Sequence, residues 1–157
     1  MKRLHIHVGV DSLDESIRFY NALFDAKPVK TKADYAKWML DDPFVNFAIS
    51  TRSGKTGIDH LGLQVGNANE LKEMRDRLKN ADMTVYDEGE ATCCYARSDK
   101  SWVKDPAGIG WETFQSMQDL QTFSTEEPAE PDTCCIPDAN AGPNAAVTAK
   151  QSTGACC

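Results

Sequence analysis

The sequence predicts an α+β fold in which two paired βαβββ modules form a half-barrel with a cleft, followed by a disordered C-terminal tail. Three observations predict it. A β-prone run, a helix and a set of short extended segments occur twice in that order. The two occurrences superimpose at an offset of 55 residues, with His5-Ile6-His7-Val8-Gly9-Val10 over His60-Leu61-Gly62-Leu63-Gln64-Val65 and Leu23 over Leu78. Agreement in strand, helix start and helix stripe together makes duplication the reading. After Gln115 the composition changes, and apolar periodicity fades. The expected domain is therefore 1–117, with modules of about 1–52 and 57–117, and 118–157 is an acidic, cysteine-containing tail.

In the first module, residues 3–10 form a β-prone run. Ser12 and Glu15 follow with capping-box spacing, and Leu13, Ile17, Tyr20, Leu23 and Phe24 recur at helical spacing, so a helix is expected over 13–25 and is stopped by Pro28. Extended segments are expected near 28–32, 35–40 and 44–50, with a turn at Asp41-Asp42-Pro43. Residues 53–57 read as a linker. In the second module, 58–65 is β-prone, Asn67 or Asn69 caps a helix over 68–80, and Leu71, Met74 and Leu78 form its stripe. Further extended segments are expected at 83–87, 92–98, 101–105 and 110–115, with Asp105-Pro106-Ala107-Gly108 as a turn.

Composition sets limits on function. No stretch approaches the ~20 apolar residues of a membrane span. The opening residues read as a first strand rather than a signal peptide, so the expected compartment is the cytoplasm, where thiols stay reduced. The net charge of −7 argues against nucleic acid or an anionic membrane as partner. From Ser116 onward one Lys and six acidic residues give −5, which leaves −2 on the first 115 residues. The tail also holds four of the seven prolines. It cannot bury enough apolar surface to offset its ordering entropy.

Candidate functional residues stand at matching places in the repeat. His5 and His60 occupy equivalent positions on the two opening strands, and Glu112 lies on the last strand, on the opposite face from Trp111 and Thr113. Two imidazoles and a carboxylate are a common first shell for a catalytic divalent metal. His7 faces the same side as His5 and is the second choice for that ligand. The plain alternative is two half-buried strand histidines and an edge charge. The six cysteines come only as neighbours: Cys93-Cys94, Cys134-Cys135 and Cys156-Cys157. Adjacent cysteines reach ordinary disulfide geometry poorly, so they read as soft-ion or redox sites. For Cys93-Cys94 the alternative is two small buried residues. Tyr95 and Trp102 read as core aromatics that could also close a pocket.

The run His5…Asp11…Ser16-Ile17-Arg18-Phe19-Tyr20, His60-Leu61-Gly62-Leu63-Gln64-Val65 and Asp105-Pro106-Ala107-Gly108…Trp111-Glu112 resembles the vicinal oxygen chelate superfamily of glyoxalases, extradiol dioxygenases and bleomycin-resistance proteins. The resemblance implies that His5, His60 and Glu112 are the metal ligands and catalytic centre. Many members carry a fourth ligand on the last strand of the first module. Phe44-Val45-Asn46-Phe47-Ala48-Ile49 offers neither histidine nor carboxylate there. That favours Fe(II), with Zn, Ni or Mn as alternatives. Ala91-Thr92-Cys93-Cys94-Tyr95-Ala96 followed by Asp99-Lys100-Ser101-Trp102-Val103 is similar to the subgroup of carbon–arsenic lyases and cadmium-induced proteins. That similarity implies substrate binding by Cys93 and Cys94, dioxygen as co-substrate, and cleavage of trivalent organoarsenicals such as methylarsenite to arsenite. Cys134, Cys135, Cys156 and Cys157 are expected to be auxiliary metalloid-binding residues. The competing expectations are a cadmium- or arsenite-binding protein without turnover and a glyoxalase-like metalloenzyme. A monomer and a homodimer both suit duplicated modules.

Overall fold

A computed structural model describes residues 1–93 and 95–119, the side chains of 91–93, 118 and 119 excepted. Cys94 and residues 120–157, which hold the other four expected cysteines, lie outside the described residues, and the first two positions of the expected tail, 118 and 119, end a strand instead. The first module runs β1 (Arg3–Gly9), α1 (Leu13–Phe24), β2 (Lys30–Lys32), β3 (Tyr35–Asp41) and β4 (Phe44–Ser50). The second runs β5 (Gly57–Gln64), α2 (Ala68–Asn80), β6 (Tyr86–Cys93), β7 (Ala96–Lys104) and β8 (Gly110–Asp119). Both helices begin as their sequences dictate. The Ser12 hydroxyl accepts from the Glu15 amide, and the Asn67 side chain accepts from the Glu70 amide, each satisfying a donor that the helix leaves open. Helix α1 stops at Asp25, in the left-handed conformation (φ 48°), before Pro28 is reached.

The eight strands form one sheet in the order β2-β3-β4-β1-β5-β8-β7-β6. Strands β1 and β5 pair antiparallel at its centre, and each has its module's last strand parallel on its other side. Alternation then divides the faces. Ile6 and Val8 of β1 and Val45, Phe47 and Ile49 of β4 pack with Trp38 against Leu13, Ile17, Tyr20 and Phe24 of α1. In the second module Leu63 and Val65 meet Leu71 and Met74 of α2. The opposite face carries His5, His7, Asn46, Ser50, His60, Lys100 and Glu112, all buried although polar. A sheet that buries such residues must curl over them. The Tyr35 ring of β3 lies 5.6 Å from the Tyr95 ring, just before β7, although four strands lie between β3 and β7 in the sheet. Lys30 of β2 also donates to the Tyr95 carbonyl at 2.8 Å, so the outer hairpins meet across the cleft.

The sequence reading differs from the structure between 83 and 105. Three short segments were expected there, and two long strands occur instead. Glu88 is absorbed as a bulge between Asp87 and Gly89, with Gly89 at φ 75°. Chain reversal falls where Cys93 pairs with Ala96, and Tyr95 takes φ 61°. Tyrosine is not a residue that signals a turn. The charged run Arg97–Lys100 stays extended because its inward residues are held. Arg75 of α2 binds the Asp99 carboxylate at 2.6 Å and the Lys100 carbonyl at 2.9 Å. Among the described residues no helix is long and apolar enough to cross a membrane.

Trp38 is fully buried, and its indole donates to Asn21 Oδ1 at 3.1 Å and the Ala26 carbonyl at 3.2 Å. Trp38→Ala leaves a cavity and strips both acceptors, so urea unfolding is expected to show a loss of about 3–5 kcal/mol.

Candidate metal centre

The central strand pair brings the two imidazoles together. In the antiparallel register His5 lies opposite Gly62, and His7 lies opposite His60. Opposite the His7–Val8 step β5 bulges by one residue, leaving Asp59 unpaired, and the Asp59 carboxylate reaches His60 Nδ1 at 2.6 Å. Glu112 enters from β8, beside Gly62 in parallel register. A Cβ on Gly62 would stand 2.5 Å from the Glu112 carbonyl oxygen and 3.2 Å from its Cβ. Glycine at 62 is what lets β8 come this close.

These three side chains converge. His5 Nε2 and His60 Nε2 are 3.2 Å apart, and each is 3.8 Å from Glu112 Oε2. Donors about 2.1 Å from one ion stand roughly 3.0–3.4 Å apart when adjacent, so a shift of a few tenths of an ångström by Glu112 completes the shell. The protonation states suit an ion as well. His5 Nδ1 faces the Asn46 carbonyl at 3.0 Å, and His60 Nδ1 faces the Asp59 carboxylate. Both partners only accept, so both Nδ1 atoms carry the proton and both Nε2 atoms present lone pairs. Two lone pairs and a carboxylate oxygen directed at each other in a buried site call for a cation, and a divalent metal fits.

The surrounding groups reinforce these states. Burial lowers the His5 pKa to about 4, with His60 acting in the same direction, and burial drives His7 well below its ordinary value. Burial would raise Glu112, but the Lys100 ammonium beside it outweighs that and holds the carboxyl at about 2. Burial would also raise Asp59, and the bond from His60 keeps it low. A neutral His5 beside an ionised Glu112 is the form a metal binds.

The fold agrees with known proteins. The glyoxalase/bleomycin resistance protein/dioxygenase superfamily model matches residues 2–113. The chain belongs to that superfamily. It is 41% identical over 143 residues to a trivalent organoarsenical cleaving enzyme of Bacillus sp. (strain MD1), covering 89% of this chain and 86% of that protein. It is 36% identical over 126 residues to the cadmium-induced protein CadI of Mycobacterium bovis, covering 80% and 83% respectively. The Mn(II)-bound glyoxalase of Novosphingobium aromaticivorans shares the fold, with a TM-score of 0.55 and 18% identity over 83% of this chain and 44% of that one.

In this superfamily member His5 and Glu112 line a cleft, open to solvent, whose walls also include His7, Tyr35, Ala96, Ser98 and Phe114. Of the other expected site residues, Cys93 is the last residue of β6. Trp102 is buried with its ring 5.2 Å from that of His60, so this core aromatic also walls the donor cluster. Lys100 was not among the expected site residues. Its ammonium is buried and sits 2.9 Å from Glu112 Oε1, which holds that oxygen back and leaves Oε2 for an ion. A lone lysine in a charged strand reads as a solvated face, although the inward positions Ser98 and Trp102 on either side of it signal burial.

Removing one partner of a buried pair leaves an uncompensated charge. Lys100→Met is expected to cost the metal-free protein about 3 kcal/mol or more in urea unfolding, and bound metal, which neutralises Glu112, restores part of that loss. His5 and Glu112 both hold protons more weakly in the folded chain than in the unfolded one. As pH falls the unfolded state therefore takes up protons first, and stability declines. The metal-free midpoint is expected to drop between pH 6.5 and about 4 through His5, and further between 4.5 and about 2 through Glu112. A midpoint independent of pH across the first window would contradict the burial of a neutral His5.

Proposed function

We propose that the chain cleaves the carbon–arsenic bond of trivalent organoarsenicals such as methylarsenite, releasing arsenite, with Fe(II) held by His5, His60 and Glu112 and dioxygen as co-substrate. The observation that carries the reading is the position of the β6–β7 hairpin. Cys93 pairs with Ala96, and Ala96 lines the same cleft as His5 and Glu112. Cys93 is thus the register partner of a cleft-lining residue, and the thiols of Cys93 and Cys94 are the proposed holders of the substrate. Relatives named trivalent organoarsenical cleaving enzyme, 41% and 36% identical in two Bacillus proteins, support the substrate class.

The chemistry assigns each part a task. Trivalent arsenic is soft and thiophilic, so two thiolates can replace its two exchangeable oxygens and leave the carbon–arsenic bond intact. Binding of this kind supplies position, the main requirement when the reacting bond must be aimed. Bound Fe(II) would supply the dioxygen-dependent oxidative chemistry, and Zn, Ni or Mn could occupy the same donors. Lys100 keeps Glu112 ionised and single-handed. Lys30 donates to the Tyr95 carbonyl, and the Tyr95 hydroxyl donates to Asp34, so the first module anchors the hairpin that carries the thiols. Residues 1–117 are the proposed working domain, in the cytoplasm.

The 36% identity to a cadmium-induced protein supports a second reading, sequestration of Cd²⁺ or arsenite without turnover. One experiment separates the two. Protein loaded with Fe(II) without oxygen is mixed with methylarsenite, and arsenite and the carbon product are measured after air is admitted. Product that depends on iron and oxygen is the expected result. Stoichiometric binding without product supports sequestration instead. Cys93→Ser and Cys94→Ser are expected to abolish turnover and retain iron, and His60→Ala to lose iron and retain arsenical binding.

A further inference from the structure

We infer that His7 is a fourth metal ligand, supplied from the inner strand of the first module because the outer strand of that module has none to give. The inference rests on the reading that His5, His60 and Glu112 hold the ion. The repeat itself exposes it. His7 is equivalent to Gly62 at the 55-residue offset; His7 pairs with Ala48, and Gly62 with Glu112. Ala48 therefore stands where Glu112 stands in the other half. In the second module the inner strand is glycine and the outer strand sends a carboxylate over it. In the first module the pair is inverted. Alanine on the outer strand, fully buried, leaves room, and the inner strand sends an imidazole into it.

The local bonds of His7 match those of the other two imidazoles. His7 is 5% exposed, so it is not a solvated side chain. One ring nitrogen, Nε2, lies 3.0 Å from Ser50 Oγ, a hydroxyl that can accept its proton. The other, Nδ1, is buried without a hydrogen-bond partner among the described residues. A buried ring nitrogen left bare is costly unless something fills its lone pair. Each of the three histidines has one nitrogen turned outward to a protein oxygen, the usual arrangement behind a metal-bound imidazole. One nitrogen of each also lies within 4.8 Å of one on both others. The chain contains three histidines in all, and all three stand here. Two residues lining the cleft bound the open side of the site: Tyr35 lies against His7, with ring centroids 6.1 Å apart, and Phe114 against His5, 5.2 Å apart.

Tag-free protein reconstituted with Co(II) gives a direct count. In proton NMR, high-spin Co(II) shifts the exchangeable N–H of every imidazole bound to it far downfield. Wild type is expected to show three such signals and His7→Asn two, with the Co(II) dissociation constant rising by about tenfold or more in the variant. Two signals in wild type, unchanged in His7→Asn, would overturn the assignment and leave His7 as packing. The count in wild type decides even where a variant folds poorly. His60→Ala separates the failures: if it binds Co(II) as tightly as wild type, the underlying three-residue site is wrong, and the fourth ligand falls with it.

Discussion

Three acceptor atoms face one another in a closed space, and their remaining polar atoms are already engaged on the outside. His5 Nε2, His60 Nε2 and Glu112 Oε2 lie within 3.8 Å of each other, and the Asn46 carbonyl, Asp59 and Lys100 fix which atoms point inward. Such a cluster resists folding by itself, because buried acceptors without a donor are costly. The rest of the molecule supplies what the cluster lacks. The apolar core of α1 and the first module, with Trp38 and Phe47 at its centre, provides the burial energy, and the curl of the sheet provides the enclosure. A cation at the centre would complete the electrostatics.

Duplication explains the economy of this construction. Two copies of one strand, laid antiparallel about the Ile6–Leu61 pair, set equivalent residues such as His5 and His60 diagonally across the sheet centre. One donor per copy then yields a pair without any loop having to aim it. The two halves have since parted company. The first has a large aromatic core, whereas the second has a smaller apolar cluster and relies on Arg75, which reaches Asp87, Asp99 and the Lys100 carbonyl. That clamp presses the strand carrying Lys100 onto the sheet, so the polar packing of the second module serves the site as well as the fold.

Much of this was legible in the sequence for specific reasons. Ser12 and Asn67 mark helix starts through their own hydrogen bonds, and the apolar runs of the first module are bounded by turn residues such as Asp41-Asp42-Pro43, so the strand limits could be read within a residue or two. His5, His60 and Glu112 stood out because position in a repeat carries information that residue type alone does not. Other parts left weaker marks. Asp59 reaches His60 only through a bulge, and a bulge in one strand has no signature apart from its partner. Lys100 looked like surface because lysine usually is. The reversal after Cys93 was missed because Tyr95, in the left-handed region, is fixed by contacts to Lys30 and Asp34 from the other module, and tertiary contacts of that kind leave no local trace.

The strand order has a consequence for how firmly the parts of the cleft are held. The donors sit on β1, β5 and β8, contiguous strands in the interior of the sheet, whereas Cys93 ends β6, the outermost strand of its half. Edge strands open at lower free energy than interior ones. The candidate donor cluster thus sits in the stiffer interior of the sheet, and a ligand taken up near the end of β6 could enter and leave without disturbing those donors.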